Sequence, residues 1–169
     1  MKLKLYRIIV TILLLLFVYI AVSIWVSSNY LSVKEYEFTT DKATQEITLV
    51  VLSDLHGHEF GNSNEQLVEK IGEQSPDLIL LDGDFLNENS ENAAVSCKLV
   101  DKLVEIAPVY FSLGNHEFSY IENNHPELIQ QLEKAGAVVL DKGYVDLEVG
   151  QNSLRLGGYM IMHLEWEVI

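Results

Sequence analysis

Three short apolar runs, each ending in a polar cluster, recur along this chain at a nearly constant interval. The runs are "ITLVVLS", "LILLD" and "VYFSL", and the clusters are Asp54-Leu55-His56, Gly83-Asp84 and Gly114-Asn115-His116-Glu117. The interval from Asp54 to Asp84 differs by a single position from the interval between Asp84 and Asn115. Each is roughly 30 residues, the length of one strand–helix–strand unit. The spacing therefore predicts consecutive parallel strands joined by helical crossovers.

The segments after the apolar runs have the spacing of amphipathic helices. "NEQLVEKIGEQ" places Leu67, Val68 and Ile71 on one face, and "AAVSCKLVDKLVEI" is a second such segment. A third, "PELIQQLEKAG", begins at Pro126 and stops at Gly136, residues that suit the first turn and the end of a helix. The strand "AVVL" follows it. Apolar runs separated by helices indicate a parallel sheet buried on both faces, so the predicted fold class is α/β.

Weaker strand patterns flank this α/β body. "KEYEFTT" alternates enough to be an edge strand, and "YVDLEV" and "SLRLGGY" predict a hairpin around the turn Gly150-Gln151-Asn152. The final "MIMHLEWEVI" continues no pattern of this kind. We divide the chain into a membrane anchor, a linker with the edge strand, the body and an atypical tail, at residues 1–30, 31–45, 46–159 and 160–169.

The N-terminal segment is apolar enough to enter a bilayer. Residues 8–26 carry no charge in 19 positions, and as a helix they would span roughly 28 Å, close to the hydrocarbon thickness. Three cations precede them, namely Lys2, Lys4 and Arg7. This bias predicts a single-pass anchor in the cell membrane, with the N-terminus cytoplasmic and the body extracytoplasmic. The alternative is a cleaved signal peptide, with Ala21 and Ser23 forming the cleavage site.

The charge of the body argues against one class of partner. The 169 residues have a net charge of −14, and the part of the chain after position 30 holds 8 basic and 25 acidic residues, hence −17. Nucleic acid is therefore not expected as a partner, because phosphate backbones are held by clustered Lys and Arg. The single cysteine, Cys97, excludes an internal disulfide and a cysteine-rich zinc site. The sequence leaves the oligomeric state open.

The three polar clusters indicate a metal site at one edge of the sheet. Ligands of open α/β sheets bind outside the carboxyl ends of the strands, so the clusters should reach the same rim. Asp54 and His56 are two residues apart, and an extended backbone would point both side chains to one side. Carboxylate, imidazole and amide ligands without thiolate suit Mn, Fe, Zn or Mg. Asp84, in the middle cluster, is the natural bridge between two cations.

The motifs "SDLHG", "GD" and "GNHE", in this order and at this spacing, resemble those of the calcineurin-like metallophosphoesterase family. The resemblance is close over residues 46–118 and looser to residue 159. It implies an αββα sandwich that binds two divalent metal ions. A membrane anchor before the first motif resembles the membrane-associated bacterial branch of the family.

The resemblance also implies a role for each motif residue. Asp54 and His56 would hold the first ion, Asp84 would bridge the two, and Asn115 would hold the second. His116 would be the proton donor. The implied reaction is hydrolysis of a phosphomonoester, a phosphodiester or a pyrophosphate, with two ions that lower the pKa of the attacking water to near neutrality. The substrate would be a phosphorylated small molecule or a lipid-linked phosphate.

The sequence departs from the family pattern after "GNHE". Family members take further histidine ligands from a later "GH" and a "GHxH" motif, and neither follows in this sequence. We therefore interpret the chain as a C-terminally truncated member with an incomplete sandwich and impaired activity. The alternative is a catalytically inactive, membrane-tethered remnant that binds metal weakly or not at all. Asn87 stands where many relatives carry an Asp that orients the proton donor, and Glu117 is expected to fix its loop rather than react.

Overall fold

The chain forms two compact units. The computed structural model describes residues 2–141, 143–158 and 165–168. Its units are Met1–Tyr36 and Glu37–Ile169. The first unit is helical, and the second has parallel strands alternating with helices, so the predicted α/β fold class is confirmed.

The first unit is built on one long apolar helix, α1 (Lys2–Asn29). Its segment Lys4–Ser27 has a mean hydropathy of 2.8 over the most apolar stretch. By length and composition this helix could cross a membrane, a property that it shares with signal sequences.

The second unit begins with strand–helix–strand units and continues into antiparallel strands. In chain order its elements are β1 (Leu49–Leu52), a 3-10 turn (Asn62–Asn64), α2 (Glu65–Gly72), β2 (Leu78–Asp82), α3 (Ala94–Leu103), β3 (Val109–Ser112), α4 (Asn115–Glu122), α5 (Leu128–Lys134), β4 (Val138–Leu140), β5 (Gly143–Val149), β6 (Asn152–Gly158) and β7 (Glu165–Val168). The elements β1 to β6, α2, α3 and α5 lie where the sequence predicts them, with bounds that differ by a few residues.

Two sheets result from this order. Strands β1, β2, β3 and β4 pair in parallel in that sequence, because helical crossovers return the chain to the same end of the sheet each time. The pairs Leu52–Leu81 and Asp82–Ser112 place the carboxyl ends of β1, β2 and β3 side by side, with β2 in the centre. Strands β5, β6 and β7 form a second, antiparallel sheet.

The core lies on both sides of the parallel sheet. On one side, Leu78 and Leu80 of β2 pack with apolar residues of the other sheet and of β4, namely Leu140, Val149, Leu154 and Leu156. Ile79 and Leu81 point to the opposite side by strand alternation and are 0% and 1% exposed. The helices α2, α3 and α5 bury their apolar faces. Helix, sheet and sheet layers therefore follow one another, as in the expected sandwich.

Three segments differ from the sequence predictions. "KEYEFTT" forms no strand, and Tyr36 and Phe38 are each 74% exposed, because no neighbouring strand in the described part of the chain pairs with it. Part of the tail does have a regular structure, since Glu165–Val168 pairs with β6; residues 159–164 and 169 lie outside the described residues. The polar cluster after β3 opens helix α4 instead of a loop.

Candidate metal centre

Backbone hydrogen bonds hold the end of β1 against the end of β2. The Asp54 N–H donates to the Gly83 carbonyl at 3.1 Å, and the His56 N–H donates to the Asp84 carbonyl at 2.9 Å. These bonds continue the pairing of the two strands past their last residues. The first and second polar clusters are thus joined before any side chain contributes.

Three residues of these clusters have left-handed backbone conformations. The φ angles of Asp54, His56 and Asp84 are 58°, 48° and 58°. The extended backbone that the sequence predicts between Asp54 and His56 is therefore wrong, although both side chains still converge. Residues other than glycine rarely adopt such angles, which cost about 1–3 kcal/mol each and cluster at functional sites. The rim is held in this conformation by its long-range hydrogen bonds.

The side chains of these three residues form a cluster of metal-ligating groups. One ligand atom from each of Asp54, His56 and Asp84 lies within 4.8 Å of the other two. Nε2 of His56 is 4.0 Å from Oδ1 of Asp54. Ligands that share an ion lie about 3 to 4 Å apart, because each bond to the metal is about 2 Å long, so shifts of about 1 Å would close this set. The Asp54 and His56 side chains are 67% and 40% exposed, which leaves the site open to solvent.

The start of α4 brings the third cluster to the same place. The backbone N–H of His116 donates to Oδ1 of Asp84 at 3.0 Å. The imidazoles of His116 and His56 meet edge to face, with ring centroids 4.8 Å apart. Gly114 permits the start of α4 to approach Asp84, because a Cβ at this position would lie only 2.7 Å from the Asp84 nitrogen. Asn115, exposed at the first position of α4, lies between Gly114 and His116.

One ring nitrogen beside the cluster is buried without a hydrogen-bond partner in the described part of the chain. Nδ1 of His116 has no hydrogen bond to any residue that the structure describes. Buried polar atoms nearly always have partners, so an exception calls for a chemical reason. The ring stands beside a cluster that offers two carboxylates and a second imidazole. Such a donor set fits a divalent ion of the Mn, Fe, Zn or Mg group.

A groove of about 270 Å³ adjoins the cluster. His56 and Gly57 form one wall, and the segment from Leu86 to Ser96 forms the other. The second wall combines uncharged polar side chains and one carboxylate, Glu91, with apolar ones; the polar residues are Asn87, Ser90, Asn92 and Ser96, and the apolar ones are Leu86 and Val95. The groove is a little smaller than most small-molecule sites, so it suits a compact group.

Comparison with known families assigns the fold to a family. A family model described as calcineurin-like phosphoesterase matches residues 47–165, more than half of the chain. The chain belongs to the calcineurin-like phosphoesterase family. Membership of this family supports metal-dependent phosphoesterase chemistry in general, and the cluster at the rim of the sheet supplies metal-ligating groups.

Several curated relatives share this region. The uncharacterized metallophosphoesterase YkoQ of Bacillus subtilis is 29% identical over 118 residues, which cover 69% of this chain and 44% of YkoQ. An uncharacterized metallophosphoesterase of Campylobacter jejuni is 24% identical over 120 residues, covering 68% of this chain and 32% of the relative. One from Helicobacter pylori (strain J99) is 25% identical over 88 residues, covering 51% of this chain and 24% of the relative. The chain spans less than half the length of these relatives.

Some contacts of this candidate site were not evident from the sequence. The Ser53 hydroxyl donates to Oδ2 of Asp54 at 2.7 Å, and no pattern singles out a serine at that position. The Asn87 amide donates to the His56 carbonyl at 2.9 Å and not to His116, so the orienting role suggested for it is not seen. Glu117 lies in helix α4 and not in a loop, but it has the expected structural role, because it is fully buried and accepts the backbone N–H groups of Asp84 and Gly114.

Proposed function

We propose that this phosphoesterase hydrolyses phosphate esters or pyrophosphate with two divalent metal ions bound at the rim of its parallel sheet. The observation that carries the proposal is the convergence of Asp54, His56 and Asp84, with one ligand atom of each within 4.8 Å of the others. Two bound ions would supply the Lewis acidity that activates water and neutralises charge on the phosphoryl group.

The fold supports a division of roles among the ligands. Asp54 and His56, which both follow β1, would hold one ion, and Asn115 at the start of α4 would hold the other. Asp84 follows β2, which lies between β1 and β3, and would bridge the two ions. Its Oδ1 accepts the backbone N–H of His116 at 3.0 Å, and this bond fixes the carboxylate.

His116 is the proposed proton donor to the leaving oxygen. Its Nδ1 is buried, so Nε2 is the ring atom that would face the substrate. The edge-to-face contact with His56 holds the ring beside the candidate ligands, at a centroid distance of 4.8 Å. Histidine is the side chain that most often acts as a general acid in enzymes.

The groove beside His56 gives a place for the leaving group. Its lining of uncharged polar and apolar side chains, with one carboxylate, favours a compact leaving group. The proposed substrate is a phosphorylated small molecule or a lipid-linked phosphate. Helix α1 would tether the phosphoesterase to the cell membrane, where lipid-linked phosphates are available.

The test compares the full chain in detergent with its Asp84→Asn variant. We expect the wild-type chain to bind Mn²⁺ in a calorimetric titration and to hydrolyse a chromogenic phosphodiester when Mn²⁺ is added. Asp84→Asn should bind Mn²⁺ at least about 10-fold more weakly, since even outer-shell losses have effects of that size. Asparagine tolerates positive φ and keeps an acceptor for the His116 N–H, so the variant should fold.

The matched control is Asp101→Asn, which neutralises an exposed aspartate on α3 and should behave like the wild type. Equal rates for wild type and Asp84→Asn would refute the proposal. A wild-type chain that binds Mn²⁺ weakly or not at all and shows no hydrolysis would instead favour the inactive, membrane-tethered remnant, the alternative that the sequence leaves open.

A further inference from the structure

We propose that Glu117 is the positioning residue of the metal site, because its buried carboxylate fixes the loop that carries Asp84 and, through that loop, the backbone of His56. This inference rests on the proposed function, since it assigns what holds the candidate ligands in place. Glu117 itself is 0% exposed and so does not reach the substrate.

Four backbone donors converge on this one carboxylate. Oε2 accepts the Asp84 N–H at 2.7 Å and the Gly114 N–H at 2.9 Å. Oε1 accepts the Phe85 N–H at 2.8 Å and the Leu86 N–H at 3.3 Å. The carboxylate therefore ties the loop after β2 to the start of α4 through both of its oxygens.

The same loop passes this constraint on to the end of β1. The Asp84 carbonyl accepts the His56 N–H at 2.9 Å, and the Phe85 carbonyl accepts the Gly57 N–H at 2.8 Å. Asp84 and Phe85 thus each make two of these bonds. Their N–H groups donate to Glu117, and their carbonyls accept the N–H groups of His56 and Gly57. Displacing the loop should move Asp84 and His56 together.

Helix capping alone does not account for this arrangement. Glu117 is at the N3 position of α4, and its bond to the Gly114 N–H is the bond that a capping glutamate makes. The three other donors are the N–H groups of Asp84, Phe85 and Leu86, which follow β2. In the chain, α3 and β3 separate these residues from α4. These three hydrogen bonds are not needed to cap α4, but they do fix the position of Asp84.

The charge of Glu117 has no cationic partner in the part of the chain that the structure describes. No Lys or Arg nitrogen there lies within ion-pairing distance of it. Burying an ionised carboxylate is unfavourable unless hydrogen bonds compensate, and bonds to a charged acceptor are the strong ones. Glutamine cannot substitute, because each oxygen accepts two N–H donors and an amide nitrogen would face one of these pairs.

The test measures Mn²⁺ binding to the full chain in detergent by calorimetry, together with the EPR spectrum of the bound ion. We expect Glu117→Gln to weaken Mn²⁺ binding about 10- to 100-fold, the range found for outer-shell partners of metal ligands, and to change the spectrum. Glu133→Gln, an exposed glutamate on α5, should leave both unchanged. Ile71→Val, which trims a buried side chain of α2, should lower the melting temperature without weakening Mn²⁺ binding.

A second variant covers the case in which Glu117→Gln does not fold. Glu117→Asp keeps the charge but is one methylene shorter, so it should retain one donor pair and bind Mn²⁺ with intermediate affinity. Wild-type affinity in a folded Glu117→Gln or Glu117→Asp would overturn the assignment, as would equal losses in Ile71→Val. If both Glu117 variants fail to fold while Ile71→Val folds, the residue serves folding and the assignment is again wrong. A wild-type chain that binds no Mn²⁺ would remove the proposed function, and this inference with it.

Discussion

Gly114 and Gly57 lie at the same rim, but a side chain would meet different surroundings at the two positions. Gly114 has an ordinary φ of −88°, yet a Cβ there would lie 2.7 Å from the Asp84 nitrogen and 2.9 Å from its Cγ. Gly114→Ala must therefore displace Asp84 or the start of α4, and overpacking of this kind costs about 1–3 kcal/mol. We expect Mn²⁺ affinity to fall along with the free energy of unfolding, as measured by calorimetry and denaturant titration.

Gly57→Ala is the matched control for Gly114→Ala. Gly57 has φ of +75° and open space around the position of a Cβ. The substitution should cost about 1–2 kcal/mol through backbone strain and leave Mn²⁺ affinity close to that of the wild type. Equal losses of affinity in both variants would show that general destabilisation, and not the Gly114–Asp84 contact, governs the site.

The residues of the site were predictable to the extent that strand ends dictate their position. The sequence placed Asp54, His56 and Asp84 at one rim because parallel strands end on the same side, and the structure brings these three together. It did not predict the left-handed backbone at each of them. At the first cluster that conformation depends on hydrogen bonds to Gly83 and Asp84, which follow the next strand and leave no local signal.

For helices and strands, hydrophobic periodicity predicted the buried strand β2 correctly. It did not predict exposure or strand pairing where these depend on a neighbouring strand. Strand β2 is buried almost throughout, as an apolar run predicts. Strand β1 is apolar too, but it is the sheet edge, and Leu49 and Val51 are 39% and 56% exposed. They face the same side as Leu78 and Leu80, where the core cluster of the two sheets ends. Alternation in "KEYEFTT" likewise required a neighbouring strand that the described chain does not offer.

The β5–β6 hairpin carries a charge pair whose effect on stability depends on pH. Asp146 and Arg155 are direct partners in the register, and their side chains make two hydrogen bonds, of 2.6 and 2.9 Å. The Arg155 guanidinium holds the pKa of Asp146 below its ordinary value of 3.8. Its stabilisation is therefore present in full above that ordinary value and is lost as the pH falls through the lowered, folded-state pKa. Asp146→Asn should unfold more easily than the wild type at pH 7, by a small margin because the pair is exposed.

The difference in melting temperature between wild type and Asp146→Asn should close in acid. Thermal unfolding measured from neutral pH into acid would follow it, because the wild-type carboxylate loses its charge as the pH falls through its lowered pKa. Asp101→Asn again serves as the control, since it neutralises an exposed carboxylate outside the hairpin. A difference that stays constant throughout would mean that the asparagine acts by some route other than the lost charge.

At the scale of the whole molecule, the two units suit different solvents. The segment Lys4–Ser27 has 24 residues, about 36 Å as a helix, and so exceeds the bilayer's hydrocarbon thickness of about 30 Å. The part of the chain after position 30 carries a net charge of −17, as an aqueous body would. An apolar run of this length is the easiest feature to predict from sequence, because composition alone decides it. Composition does not decide between an anchor and a cleaved leader.

We predict that α1 stays attached, with its N-terminus in the cytoplasm and the α/β body outside the membrane. The cations Lys2, Lys4 and Arg7 precede the apolar segment without any acidic residue, and this bias sets the orientation. Proteinase K added to intact cells should cut the exposed residues 32–42 and degrade the body, while an N-terminal epitope stays protected. Replacing the three cations with Gln should reduce the degraded fraction, with a cytoplasmic protein as the control for cell integrity. A protected body would reverse the orientation, and a mature chain beginning after Ser23, as shown by its mass, would make the helix a signal peptide.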